Sequence, residues 1–286
     1  MSDAAEHDPL DAIVARWRAG ACSSEIALME MMIECESLST VEEAVRGEPV
    51  LASLLAANHA GCARICEMLR RQPLPGAEAS VEEEVASVRR LFDRTVAEDE
   101  PSSVALYSLG SEEILARATD EVVGVLDGWG VLAPGTRALE IGCGIGRLLG
   151  PIASRVGQVV GIDVSPGMVA AARRRTAGDP RVEVRISGGA DLGGAAEGAF
   201  ELVLAVDSFP YAVDAGPALV RALFSEVARV LVPGGWFAVF NYSYRGDEAA
   251  DRRDVADAAR EVGLEVIVAG ERPFRLWNAL AFLLRR

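Results

Sequence analysis

The chain of 286 residues contains no lysine, so all 28 of its basic residues are arginine. That excludes a lysine Schiff base to an aldehyde cofactor and a phosphate loop of the G-K-[ST] type. Histidine is nearly absent: His7 and His59 are the only two, and neither stands near a glycine-rich turn. No histidine metal cluster is expected, and any general base must be Asp, Glu, Tyr or water. Five cysteines (Cys22, Cys35, Cys62, Cys66, Cys143) are odd in number and lack framework spacing, which suits reduced thiols in a cytoplasm. No apolar run approaches the roughly twenty residues that span a bilayer. The acidic start MSDAAEHDPLD lacks the basic-then-apolar pattern of a secretion signal. The expectation is a cytoplasmic protein with no membrane partner. Net positive charge is also missing: at −15, the chain is poorly suited to a nucleic-acid partner, which calls for basic stripes.

What is present is an ordinary globular composition, half apolar and a quarter charged. Its most informative stretch is Arg137–Asp163, RALEIGCGIGRLLGPIASRVGQVVGID. An apolar run, Arg137–Ile141, stops at Gly142, as a buried strand does. Gly142, Gly144 and Gly146 then alternate, which lets the backbone turn sharply and approach a ligand closely. A helical pattern follows over Arg147–Ala153, and Gln158–Asp163 reads as a second buried strand ending in a carboxylate. A right-handed crossover between parallel strands brings the turn and Asp163 to one carboxyl edge of the sheet, where open α/β sheets bind ligands. The dinucleotide fingerprint G-x-G-x-x-G would need glycine at Arg147. A large side chain there, and Glu140 just before the turn, disfavour a pyrophosphate and favour a cationic ligand.

The run LEIGCGIGR, followed about twenty residues on by GIDVSPGM, resembles the class I S-adenosylmethionine-dependent methyltransferases. The later segment RVLVPGGWFAVF is similar to the one before that family's fifth strand. The resemblance covers roughly residues 100–286. It implies a Rossmann-like, mostly parallel seven-stranded α/β sheet of order 3-2-1-4-5-7-6, with S-adenosyl-L-methionine as cofactor. It also implies cofactor contacts from Glu140, Gly142, Cys143, Gly144 and Gly146, with Asp163 on the ribose hydroxyls and Val164 and Met168 beside the adenine. Asp191 and the Leu192 backbone take the place of the family's adenine-amino contact. The segment before the first strand often folds over the cofactor in this family. There Tyr107 is the aromatic candidate for the sulfonium, worth about 0.5–2 kcal/mol, or else a packing residue.

Phe200–Val206 reads as a central strand running into Asp207-Ser208-Phe209-Pro210-Tyr211. Asp207 is open to three roles: holding the cofactor's ammonium, acting as a base, or capping a turn. With Tyr211 and Asn241 it is a catalytic candidate. Phe209, Tyr211, Tyr242, Tyr244 and Arg245 are acceptor-binding candidates, with packing (for the rings) and a solvated charge (for Arg245) as the competing readings. Arg221–Val232 reads as a helix, Val232–Gly235 as a tight turn, Trp236–Phe240 as a strand, Asp254–Val262 as a helix, Leu264–Ala269 as a strand and Leu276–Leu284 as a last one.

Residues 1–95 are not explained by the resemblance and read as a helical N-terminal cap that sets specificity, the catalytic domain being 96–286. Ile13, Val14 and Trp17, then Ile26, Met29 and Ile33, recur at helical spacing. Ser39–Glu43 offers a capping box, as does Ser80–Glu83 ahead of an amphipathic helix. Gln72–Gly76 reads as a linker. Cys62 and Cys66, four apart, are expected to be core residues. The expected reaction is methyl transfer to a small molecule in a closed pocket, by a chain that is a possible homodimer. Two alternatives stay open: transfer or cyclisation of the cofactor's aminobutyrate arm with release of methylthioadenosine, and non-catalytic cofactor binding.

Overall fold

A computed structural model describes residues 8–71 and 80–286. The linker expected at Gln72–Gly76, like His7, lies outside the described residues. The chain divides into two compact units, neither continuous in sequence. One comprises residues 8–71 with Glu98–Ala118 and Phe274–Asn278, the other residues 80–97, Thr119–Pro273 and Ala279–Arg286.

The first unit is helical among its described residues. Its helices are α1 (Pro9–Arg18), α2 (Ser24–Cys35), α3 (Leu38–Ala44), α4 (Pro49–Ala57) and α5 (His59–Arg70). Their apolar faces close on Leu28, Met31, Met32, Leu51, Cys62, Ile65 and Cys66, so the two expected core cysteines are buried together. Burial pushes the Cys62 thiol up to about 12 and leaves it inert. The capping box expected at Ser39 does not form. Helix α3 starts a residue earlier, at Leu38, and the hydroxyls of Ser37, Ser39 and Thr40 bond one another instead of the backbone.

The box at Ser80 does form, in the second unit, at the head of α6 (Val81–Glu98). Ser80 N donates to Glu83 Oε2 at 2.8 Å and Glu83 N to Ser80 Oγ at 3.3 Å, so two orphan donors are satisfied reciprocally. After α7 (Glu100–Val104) and α8 (Glu112–Gly128) come the elements that alternate as a parallel α/β sheet requires. The strands are β1 (Arg137–Ile141), β2 (Gln158–Asp163), β3 (Val182–Ile186), β4 (Phe200–Val206), β5 (Leu231–Phe240), β6 (Glu265–Glu271) and β7 (Ala281–Arg285). Between them run α9 (Leu149–Ala153), α10 (Pro166–Arg175), α11 (Phe209–Asp214), α12 (Pro217–Val230) and α13 (Glu248–Glu261). Strand order is β3-β2-β1-β4-β5-β7-β6, the order the resemblance implied, with β7 antiparallel to both its neighbours.

The interior strands are apolar on both faces, as a sheet covered by helices on both sides demands. The turn expected at Val232–Gly235 is instead part of β5. Pro-Gly-Gly forms a bulge there, Phe200 facing Leu231 and Leu202 facing Trp236, with Gly234 at φ 80°. The helix before it runs Pro217–Val230, and α13 opens at Glu248 on an Asp247 cap rather than at Asp254. The last strand starts at Ala281, not Leu276. Residues Phe274–Asn278 belong to the helical unit, where the Leu276 carbonyl accepts from Ser23 Oγ at 2.8 Å.

Replacing Ser80 by Ala removes one half of the reciprocal box. The expected loss is about 1 kcal/mol, read as a lowered urea midpoint with faster amide exchange confined to the first turn of α6.

Candidate functional site

The glycine turn after β1 is shaped by its neighbours. Gly142 adopts φ 70°, and a Cβ there would stand 2.5 Å from the Cβ of Ser208, whose hydroxyl donates to the Ile141 carbonyl at 2.8 Å. A Cβ on Gly146 (φ 72°) would lie 3.0 Å from that of Ala172 in α10. Both positions therefore need glycine for close approach as well as for the left-handed backbone. Gly144, also left-handed, is fixed by Asp163: its N–H donates to Asp163 Oδ2 at 2.9 Å. The other oxygen, Oδ1, accepts from Ser165 N at 2.9 Å, at the head of α10. Burial pushes the Asp163 pKa up, and the facing N–H groups of Ser165, Gly144 and Val164 pull it back. Ser165 caps α10 by accepting from Met168 N at 3.0 Å, with Pro166 at the first helical position.

Glu140 is the penultimate residue of β1 and is only 2% exposed. Its Oε2 is fully buried and makes no hydrogen bond. Burial raises its pKa to about 8 against the opposing pull of Arg147, with Asp163 adding to the rise. Arg147, the residue whose bulk argued against a dinucleotide, is itself buried and donates to Thr119 Oγ1 at 3.1 Å. Its charge acts on Glu140 and, from another side, on Asp207. Glu140 and Asp163 at the turn, with Asp207 just beyond the end of β4, outnumber this guanidinium, a balance suited to a cationic ligand. The Cys143 thiol is buried against Gly161, so any ligand contact at that position falls to its backbone.

A second cluster lies at the carboxyl ends of β4 and β5. Asp207 and Asn241 both adopt left-handed backbones, φ 60° and 62°, a conformation uncommon outside glycine. Their side chains meet, Asn241 Nδ2 donating to Asp207 Oδ1 at 2.7 Å, and the Tyr244 hydroxyl donates to the same oxygen at 2.9 Å. Burial raises the Asp207 pKa to about 6 despite those two donors and Arg147. Tyr211 stands edge-on to Tyr244, centroids 6.0 Å apart, and Phe92 edge-on to Tyr211 at 5.1 Å.

Helix α6 is tied to this edge. Asp93 Oδ1 accepts from Ser165 Oγ at 2.6 Å and from Gly167 N at 2.9 Å. A Cβ on Gly189 would lie 2.8 Å from Val85 Cγ1, so the helix packs closely over the segment after β3. Sequence reading missed Asp93, Phe92, Arg147 and Thr119 as site residues. Of these only Arg147, next to the last turn glycine, carried a signal.

Several other candidates are held in packing or structural contacts. Tyr107 is counted with the helical unit, buried and stacked on Trp277 at 5.7 Å. Phe209 and Tyr242 stack on each other at 6.0 Å in the sheet core, 1% and 2% exposed. Arg245 donates through Nε and Nη2 to Asp251 and also pairs with Asp254 at 2.8 Å, fastening the β5 loop to α13. Asp191 is exposed and caps its own turn, accepting from Gly188 N and Gly193 N, while Leu192 is core. Val164 and Met168 flank the α10 head, Met168 fully buried. Among the described residues no cluster of three or more His, Cys, Asp or Glu is arranged to hold a metal. None of the helices there is long and apolar enough to cross a membrane.

Residues 138–235, which contain the glycine turn, Asp163 and Asp207, match the methyltransferase-domain family. A methyltransferase domain occupies that stretch. Among curated relatives, an uncharacterized 37.1 kDa protein in transposon TN4556 of Streptomyces fradiae is 33% identical over 165 residues, 56% of this chain and 45% of that one. The 2-methyl-6-phytyl-1,4-hydroquinone methyltransferase of Synechocystis is 33% identical over 124 residues, 42% of this chain and 37% of that one. The chain thus spans less than half the length of these two relatives. In fold, it is similar to magnesium protoporphyrin IX methyltransferase from Synechocystis with bound SAM. The TM-score is 0.55 at 20% identity, over 74% of this chain and 100% of that one. The class I methyltransferase fold accounts for the sheet order and the position of the glycine turn.

Replacing Asp93 by Ala should leave the Ser165 hydroxyl and Gly167 N without their acceptor at a half-exposed site. A loss of about 1.5 kcal/mol is expected, with exchange protection falling across 85–96 while β1 and β4 keep theirs.

Proposed function

We propose that the protein is an S-adenosylmethionine-dependent methyltransferase acting on a small molecule. The observation that carries this reading is Glu140, a buried carboxyl with an Oε2 unpartnered among the described residues, beside a glycine turn with no room for a Cβ at Gly142 or Gly146. A buried polar atom left without a partner is costly, and a ligand cation would satisfy it. The residues fit the cofactor on that count. Glu140 would face its positive groups, Gly142 and Gly144 would allow close backbone approach, and Asp163, beside Val164 and Met168, would take the ribose hydroxyls. When bound, S-adenosylmethionine supplies a methyl group activated by its sulfonium.

The chain's own task is then positioning and exclusion of water. Asp163 holds the Gly144 amide and the head of α10 in fixed relation, so the nucleoside-binding surface is preorganised. Asp93 draws α6 against that surface. The net charge of −15 and the small-molecule acceptors named for relatives both favour a small acceptor. The helical unit, with a core of its own, is read as the part that selects it.

Incubation of the purified protein with S-adenosylmethionine and a panel of small acceptors tests the reaction. S-adenosylhomocysteine with a methylated product is expected. Protein-dependent methylthioadenosine would instead identify the aminobutyrate arm as the reacting group and overturn methyl transfer. Asp163→Ala should abolish cofactor binding in calorimetry, and unchanged affinity would remove Asp163 from the site.

The Glu140 carboxyl gives a second test. With a pKa raised to about 8, it is mostly protonated in the free protein at pH 7 and loses that proton as pH rises through about 8. A cation bound beside it favours the carboxylate, so binding at pH 7 should release up to one proton. Calorimetry in buffers of different ionisation heat should show that release, and Glu140→Gln should abolish it.

A further inference from the structure

We propose that Asp207, oriented by Asn241 and Tyr244, is the base that takes the proton of an aromatic or enolic hydroxyl, which makes the acceptor a ring-bearing molecule with an acidic oxygen. This rests on the methyltransferase reading above and adds the acceptor's chemical class to it.

The geometry separates the three carboxylates by task. Asp163 has an oxygen on each of two backbone amides. Glu140 has an unpartnered buried oxygen beside the glycine turn, where a cation is wanted. Asp207 lies at the end of the next strand, half-buried, with Oδ1 accepting from Asn241 and Tyr244 and no hydrogen bond to Oδ2 among the described residues. Two adjacent strands end in non-glycine residues with left-handed backbones so that these side chains meet. Such backbone strain is typical of a working site rather than of a turn cap.

Chemistry narrows the acceptor. The groups acting on Asp207 are Arg147 from the glycine turn and Asn241 and Tyr244 from the end of β5, and the hydroxyl of Tyr211 in α11 in turn feels the Asp207 charge. Together with burial they leave a carboxylate that is ionised at neutral pH yet more basic than an ordinary Asp. A base of this strength assists a hydroxyl with a pKa near that of tyrosine, about 10. An aliphatic alcohol holds its proton too tightly for it, and a carboxylate acceptor has no proton to give. Tyr244 and Tyr211 set their rings beside the same carboxylate, with Phe92 edge-on to Tyr211, and together they offer a surface on which a planar acceptor packs. In the step, the hydroxyl proton passes to Asp207 Oδ2 as the oxygen lone pair forms the new bond to the methyl carbon. The carbon–sulfur bond breaks and its electron pair stays on sulfur, leaving S-adenosylhomocysteine and a protonated Asp207 that returns its proton to water.

The test compares wild type with Asp207→Asn, a substitution that keeps the shape and tolerates the left-handed backbone. Probes are hydroquinone, unactivated phenols and 4-nitrophenol, with S-adenosylmethionine as donor. Wild type should methylate the phenols with an acid limb in kcat/KM near pH 6. The variant should lose about 10²- to 10⁴-fold on unactivated phenols and far less on 4-nitrophenol already ionised at the assay pH. It should bind S-adenosylhomocysteine as wild type does. It should also fail to enhance the phenolate absorption band of 4-nitrophenol bound below that phenol's pKa. Tyr244→Phe, which removes one donor from Oδ1, should move the acid limb to higher pH while transfer persists.

Loss of S-adenosylhomocysteine affinity in Asp207→Asn would assign Asp207 to the ammonium and overturn the proposal. An equal loss on all phenols would do the same by making the role positional. So would a wild type that methylates amines or carboxylates but no phenol. A wild type that binds no S-adenosylmethionine would instead overturn the methyltransferase reading itself.

Discussion

The carboxylate of Asp163 fixes the relation between three pieces of chain. One oxygen holds the amide of Gly144 and the other the amide of Ser165, so the glycine turn, the end of β2 and the head of α10 form one rigid corner. Burial raises its pKa and the amides lower it, and the corner survives because ionised oxygen is what those N–H groups want. Ser165 extends the corner in two directions, capping α10 and donating to Asp93 of α6. A helix from far upstream in sequence is thereby indexed to the carboxyl edge of the sheet.

Charge around the corner follows from the same arrangement. Three carboxylates converge on a site that has a single buried guanidinium, Arg147, among them. Each is moved from its ordinary pKa by burial first and by neighbours second, but they end in different states. Glu140, without a hydrogen bond at Oε2, is protonated through neutrality, whereas Asp207, with two donors on one oxygen, is not. The number of hydrogen bonds, rather than depth of burial alone, sorts the carboxyls into roles.

Legibility in the sequence followed the range of the interaction. The glycine turn, the Ser165–Pro166 helix start and the Ser80–Glu83 box were legible because each depends on residues within a few positions of one another, whereas the sheet order came from the family resemblance. The Pro-Gly-Gly segment misled because the same residues serve a turn or a bulge. Which one forms was decided by Arg286, whose carbonyl accepts from Gly234 N at 2.8 Å and whose own N donates to Gly235. The start of β7 misled likewise, since Leu276 and Trp277 answer to Ser23 and Tyr107 more than 150 residues upstream. Arg245 read as an acceptor-binding or solvated cation because its partners, Asp251 and Asp254, look like ordinary surface acids of a helix.

The acceptor side was the least legible for a related reason. Aromatic side chains at helical or strand spacing look alike whether they fill a core or line a chamber. Phe209 and Tyr211 are two positions apart on the same short helix. Phe209 is enclosed by Phe224, Phe237 and Tyr242, and Tyr211 meets Phe92 and Tyr244. What separates them is the direction in which the chain leaves β4, set by the left-handed backbone of Asp207. That conformation has no glycine to announce it, and it turns the carboxylate toward Asn241 while turning Phe209 into the core. One strained residue therefore divides the sheet core from the Asn241–Tyr244 cluster along this strand end.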